Sequence, residues 1–231
     1  MRSLHGYSSG SGVLKMLEIK NLSVSYGSNK VYENFSLSAD EKVITCILGE
    51  SGCGKTTLLN AVAGLIKFGG EITGVKVSYV FQTPRLVPNL TVLKNLTLIG
   101  AERERAEDML ERVGLKEKAE VYPATLSGGE AQRVSLCRAL LFSSDIVLMD
   151  EPFSSLDLKT KLSAMRLTQK LLSEEGRGAL FVTHDIDEAL YLSDRIVVMK
   201  KGGIIEDINN GEKAEFALSP LRKKIIDLLL A

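Results

Sequence analysis

The sequence predicts an α/β fold with a mainly parallel sheet, a β-rich appendage at its start and an all-helical insert. Three observations predict it. From residue 43 onward, short apolar runs mostly alternate with stretches of helical period. The run VITCIL at 43–48 is nearly continuous in apolar residues, as a strand covered on both faces of a parallel sheet requires. The stretch 91–115 breaks the alternation, carrying helical spacing and no strand pattern.

In chain order, MLEIKNLSVSY at 16–26 and KVYENFSLSA at 30–39 alternate in parts as strands do, and SYGSN supplies the turn between them. VITCIL feeds directly into GESGCGKTT at 49–57, and TTLLNAVAGL at 56–65 reads as a helix. VSYVFQ at 77–82 is a further strand. In the helical stretch Ala106, Met109, Leu110 and Val113 fall at i, i+3, i+4 and i+7, with Gly114 placed to end the helix. Helix 130–142, strand DIVLMD at 145–150, helix 160–174, strand ALFVT at 179–183, helix 185–192 and strand RIVVM at 195–199 follow. Residues 1–15, with their Ser/Gly content, are expected to be a flexible leader or tag remnant, set apart from a single domain expected over 16–215. A C-terminal helix is expected over 216–231, opened by Ser219-Pro220 with IIDLLL as its apolar face.

Composition excludes several function classes. Lys plus Arg number 29 and Asp plus Glu 29, so no basic field argues for nucleic acid. No apolar run reaches the length of a bilayer span, and the N-terminal residues lack the apolar centre of a secretory signal. The three cysteines, Cys46, Cys53 and Cys137, show no metal-ligand spacing and imply reduced thiols in a cytosolic compartment.

Gly49, Gly54, Lys55 and Thr56 satisfy G-x-x-x-x-G-K-[ST]. A triphosphate must meet several backbone N–H groups at once, so the wrapping loop needs positions without side chains. Lys55 can then reach the β- and γ-phosphates, and the Thr56 hydroxyl can ligate Mg²⁺. The strand before and the helix after decide for a phosphate cradle over an incidental turn. Its nucleotide-binding residues are Gly49, Glu50, Ser51, Gly52, Cys53, Gly54, Lys55, Thr56 and Thr57. Cys53 is read as a small residue fitting a tight loop.

DIVLMDEP then offers a buried strand ending in Asp150 and Glu151. An acid there can hold Mg²⁺ through water, and its neighbour can orient or deprotonate an attacking water. LSGGE at 126–130 is a capping box, Ser127 with Glu130 three residues on, ahead of an apolar helix. Gly128 and Gly129 also leave bare N–H groups at the positive end of that helix, a second anion site.

These three motifs together resemble the ABC-type ATPase cassette, and the likeness covers about residues 17–201. The resemblance implies a RecA-like P-loop NTPase core with an N-terminal antiparallel β subdomain and a helical subdomain over about 83–140. It further implies that Ser127, Gly128 and Gly129 face the γ-phosphate held by a second cassette, so that two copies in a homodimer share ATP and Mg²⁺. By position it assigns Tyr26 to stacking on adenine and Gln82 to Mg²⁺, the attacking water and communication with the membrane partner. Asp157 in SSLD belongs to the loop that communicates across the dimer, and His184 in FVTHD is the switch histidine at the γ-phosphate. Glu151, His184 and Gln82 are thus the expected catalytic residues, and Thr56, Gln82 and Asp150 the expected metal ligands. The departures are small: Glu50 stands for a common proline, Thr56 for the commoner serine, ADEK at 39–42 lacks a usual glycine, and Glu130 occupies a variable position.

A single cassette without membrane helices or long coiled coil resembles a separate subunit docking on the cytoplasmic face of a membrane permease. QTPRLVPNLTVLKNL and THDIDEALYLSDRIVVM are similar to bacterial importer cassettes, most of all the nitrate/sulfonate/taurine group, which also includes pyrimidine-precursor systems. That implies permease subunits and an extracytoplasmic solute-binding protein as partners. The short tail implies no added regulatory domain. Two other readings stay open at this point: a small-molecule or nucleotide kinase sharing the phosphate loop, and a soluble ABC ATPase with a regulatory role.

Overall fold

In the computed structural model, residues 15–201, 203–211 and 220–230 are described. The centre is the strand Ile44–Gly49 (β3), whose six residues are all buried. Parallel neighbours flank it, Gly178–Thr183 (β7) on one side and Arg195–Lys200 (β8) on the other. Outward from β7 lie Ile146–Asp150 (β6) and Val77–Val80 (β5), also parallel. Gly203–Asn209 (β9) closes the other edge antiparallel, giving the order β5-β6-β7-β3-β8-β9.

Alternation along each strand divides the core. Cys46, Leu48, Met149, Phe181 and Val198 face one hydrophobic cluster, and Ile47, Leu148, Val182 and Val197 face the other. Both faces are therefore covered, and full burial of each such Leu, Ile or Val is worth about 1.5–3 kcal/mol. On one face pack the helices Val92–Thr97 (α2), Arg103–Arg112 (α3), Gly128–Leu141 (α4), Leu158–Glu174 (α5) and Ile186–Leu192 (α6). On the other face lie Lys55–Val62 (α1) and a three-stranded antiparallel sheet. The strands of that sheet are Met16–Tyr26 (β1), Asn29–Asp40 (β2) and Gly69–Thr73 (β4), in the order β2-β1-β4. Pro220–Leu230 (α7) buries Ile225 in the first cluster.

The sequence reading omits β4 and β9. Both are largely exposed edge strands, so neither carries the apolar run or clean alternation by which a strand is recognised. Immediately after β4, Gly74 has φ 102°, and a Cβ there would fall into the Met16 carbonyl of β1. Between residues 43 and 200, boundaries shift by two residues or more at four helices or strands. α1 ends at Val62 because Gly64, at φ 67°, turns the chain and returns the Leu65 N–H to the Asn60 carbonyl. β5 ends at Val80, opposite Met149, because β6 turns away one residue later; Phe81 and Gln82 lie beyond the ladder. α4 and α5 each start two residues earlier than expected, directly after their caps Ser127 and Asp157. Of the expected leader only Lys15 is described; Ser219 lies outside the described residues, while the helix expected after it is α7.

The helical insert is ordered by local caps and one buried amide. Thr91 caps α2 by accepting the Lys94 N–H. Asn95 accepts the Val87 N–H at 2.7 Å and donates to the Val87, Leu90 and Thr91 carbonyls, each 3.1 Å away. That side chain staples the chain leaving Gln82 onto α2. α2, α3 and α4 then pack on one another, as helical spacing without strand signals requires.

Candidate nucleotide site

The β3–loop–α1 unit builds the cradle. Gly49 ends β3 where a Cβ would lie 2.5 Å from the Met199 carbonyl and 2.9 Å from Cys53 Sγ, so glycine is required by close approach. Cys53 is buried beneath the loop, and Glu50, Ser51 and Gly52 are exposed above it. Lys55 opens α1 and is only 5% exposed; its ammonium donates to the Gly49 carbonyl at 2.7 Å and to the Glu50 carbonyl at 2.8 Å. The loop thus holds its own cation in place, at the positive end of α1.

Thr56, the next residue, donates its hydroxyl to Asp150 Oδ1 at 3.0 Å. Asp150 ends β6 nearly buried, and Tyr79 of β5 approaches Oδ2 at 3.5 Å while reaching Asn60 Oδ1 at 3.2 Å. Burial, reinforced by neighbouring Glu151, raises the Asp150 carboxyl above its ordinary value in spite of those hydroxyls. A buried carboxylate beside a hydroxyl, with the Gln82 amide on the same cleft, is a hard-oxygen donor set suited to Mg²⁺, which needs few protein ligands when phosphates supply the rest.

Glu151 has φ 41°, the left-handed region that costs a non-glycine residue about 1–3 kcal/mol. Its N–H nevertheless stays paired to the Val182 carbonyl of β7 at 3.0 Å. This turn takes the carboxylate out of the β6 register and brings Oε1 within 3.2 Å of His184 Nδ1, just past the end of β7. Ser154 donates to the Glu151 carbonyl at 3.0 Å and accepts from Gln82 Nε2 at 3.4 Å, joining the two predicted catalytic segments. Phe81 stacks on Tyr79 at 4.0 Å, and the Arg85 guanidinium covers Phe81 at 3.9 Å, which holds the Gln82 segment from both sides.

One cleft of about 440 Å³ is lined by Tyr26, Ser51, Gly52, Gly54, Lys55, Thr56, Thr57, Gln82 and Glu151, together with Val31. Ser127, Gly128, Gly129 and Asp157 are elsewhere, in a second cleft of about 410 Å³ with Arg133 and Ser155. There Ser127 Oγ accepts the Glu130 N–H and Glu130 Oε2 accepts the Ser127 N–H, completing the capping box. Lys118, hydrogen-bonded to Glu130 at 2.6 Å, and the Ser127 N–H together lower the Glu130 carboxyl to about 2. Asp157 caps α5 through the Lys159 and Thr160 N–H groups, and its contacts with Thr160 hold its carboxyl below the usual range. The sequence reading passes over Tyr79, Ser154 and Val31, whose places depend on sheet register and loop folding; only the strand period at Tyr79, two residues from Val77, marks a residue on a defined face.

A mostly parallel core fed by a phosphate loop, with Asp150 and Glu151 at the end of β6 and a capping-box helix start at Ser127, defines the class. The ABC transporter family model matches residues 32–154, and the chain belongs to that family. It is an ATP-binding, ATP-hydrolysing subunit of an ABC transporter. An aliphatic sulfonates import ATP-binding protein, SsuB 1 of Paracoccus denitrificans, is 43% identical over 197 residues, covering 82% of this chain and 81% of that one. Its counterpart from Rhodopseudomonas palustris is 39% identical over 206 residues, covering 83% and 73%. Among solved structures, the ATP-binding cassette MJ0796, a dimer in a post-hydrolysis state bound to ADP and Pi, matches with TM-score 0.74 and 32% identity over 84% of this chain and 98% of that one. No helix among the described residues is long and apolar enough to cross a membrane.

Proposed function

We propose that two copies of this chain form a homodimer that closes on two ATP molecules and drives uptake of an aliphatic sulfonate through separate permease subunits. The observation that carries it is the separation of the half-sites: the Ser127 helix end opens into a cleft of its own, not into the cleft of Lys55. A bare helix end next to a cap has no use for a phosphate on its own chain, and a second copy turned head to tail supplies one. The names of the relatives support sulfonate import; in this reading a solute-binding protein works outside and the cassette sits on the cytoplasmic face.

In this reading Tyr26 stacks on adenine, and the loop from Gly49 to Thr57 wraps the phosphates. Lys55, already seated on the loop carbonyls, turns its charge toward the β- and γ-phosphates. Thr56, Asp150 and Gln82 hold Mg²⁺, which when bound neutralises charge on the phosphate oxygens. Glu151 orients the attacking water and takes its proton, while His184 fixes the Glu151 carboxylate and contacts the γ-phosphate. Ser127, Gly128 and Gly129 of the second copy complete each site, and Asp157 carries the state of one site toward the other. Gln82 passes closure to the permease through the segment that Asn95 staples to α2.

The test uses Glu151→Gln with two readouts. The purified variant is expected to elute as an ATP-dependent dimer with very slow phosphate release, and a strain carrying it loses sulfonate uptake. A monomer with wild-type turnover breaks the catalytic reading; unaltered uptake breaks the transport reading.

A further inference from the structure

Between the two clefts lies a charge cluster to which neither half-site lays claim. Lys161, on the first turn of α5, donates its backbone N–H to the Asp157 carbonyl at 2.8 Å. Its ammonium meets Asp185 Oδ2 and Glu188 Oε1, each at 2.7 Å. The Glu188 side chain is 3% exposed and that of Lys161 19%, so this is no surface pair of negligible worth. Glu188 Oε2 accepts the Thr183 hydroxyl at 2.7 Å, and the same hydroxyl oxygen accepts the Asp185 N–H at 3.0 Å. Asp185 Oδ1 in turn caps α6 by accepting the Asp187 and Glu188 N–H groups.

These bonds enclose one residue. His184 stands between Thr183 and Asp185, and both neighbours are tied into the cluster, while its own Nδ1 lies 3.2 Å from Glu151. The His184 side chain is half exposed, so little packing fixes it; its backbone placement comes from the cluster on either side. At the other end, Lys161 hangs on the Asp157 turn, which lines the cleft of Ser127 and Gly128.

We propose that Lys161 is a positioning residue that sets His184 against Glu151 and makes that placement follow the Asp157 turn. When a second copy seats on that turn, movement of the first turn of α5 carries the ammonium, and with it Asp185 and the histidine. Hydrolysis is thereby conditional on the neighbour. This rests on the two-copy reading above. Burial works against the ammonium, yet Asp185 and Glu188 outweigh it and hold Lys161 above its ordinary value, so the tether stays charged across the working range.

The experiment uses the full chain and reads ATP affinity, melting and phosphate release together. Lys161→Met is expected to slow turnover at saturating ATP about ten- to a hundredfold, the cost of a misplaced group, with ATP affinity kept within about twofold. Lys161→Arg restores most of it. Lys161→Met/Glu188→Gln, which leaves no lone charge in the buried pair, folds and remains slow. In a His184→Ala background, adding Lys161→Met changes turnover little, because the histidine through which it acts is gone. Wild-type turnover in Lys161→Met overturns the proposal. So does a full further loss in the His184→Ala background, or lost folding in both Met variants without rescue by arginine. Wild-type turnover per chain that fails to rise with protein concentration would instead break the two-copy reading itself.

Discussion

The two clefts are made of opposite materials. The first is floored by strand ends and buried charge: Lys55 and Asp150 are each 5% exposed, and both are held by groups of the same chain. The second is made of two helix caps, Ser127 and Asp157, whose side chains are spent on the N–H groups of their own helices. Gly128 has open space where a side chain would stand. The difference teaches what each cleft can do alone. The first carries the whole phosphate loop with its cation already seated, while the second presents helix ends whose capping side chains are already engaged. On the two-copy reading proposed above, hydrolysis then needs a partner while binding does not.

The largest effect that would break this comparison comes from mixing. Ser127→Arg/Glu151→Gln is expected to be inert alone and to poison wild-type protein added to it. In an equal mixture about half of the wild-type copies pair with an inert one, so phosphate release per wild-type chain falls by about half, and a large excess extinguishes it. Wild-type turnover that is untouched by the variant would mean that each chain builds its whole site in cis.

How much of this was legible follows the same division. The cradle was legible because strand, loop and helix are contiguous in sequence, so no long-range pairing had to be guessed. Ser127 and Asp157 were legible as residues, the one through its capping box and both through a family resemblance, and the caps proved to move the starts of α4 and α5. Glu151 facing His184 was not legible from residues alone, since it depends on β6 lying beside β7 with Asp150 opposite Val182, and on a left-handed turn at a non-glycine residue. Tyr79 against Asp150, Ser154 between Gln82 and Glu151, and Lys161 against Glu188 are likewise products of register and side-chain reach. The edge strands β4 and β9 escaped for a different reason: a strand that buries almost nothing leaves almost no pattern.

A middle-sized effect sharpens the comparison at the second cleft. Asp157→Ala removes the acceptor for two N–H groups at the start of α5 and is expected to cost about 0.5–2 kcal/mol. For a chain of this size that lowers Tm by about 2–4 °C per kcal/mol. Calorimetry measures it. Because Asp157 does not line the first cleft, ATP affinity should stay unchanged even though turnover follows the Asp157 turn through Lys161; a parallel loss of affinity would show that nucleotide binding, and not only the placement of His184, depends on this cap.

The smallest effect concerns Glu130, the acid of the capping box. Its folded carboxyl, lowered to about 2 by Lys118 and the Ser127 N–H, lies well below the unfolded value of 4.5. On acidification the unfolded chain takes up this proton first. The stabilisation is therefore present above about pH 4.5 and is lost as pH falls toward about 2. Lys118 is 39% exposed, which keeps the pair near the 0.2–1 kcal/mol of surface ion pairs, about the scale of the cap or less. In urea titrations at a series of pH values, Glu130→Gln should be less stable than wild type near neutrality, with the gap closing as pH falls from about 4.5 toward 2. A gap that stays constant across that window would mean the carboxylate's charge contributes nothing, and that the box holds α4 through hydrogen-bond geometry alone.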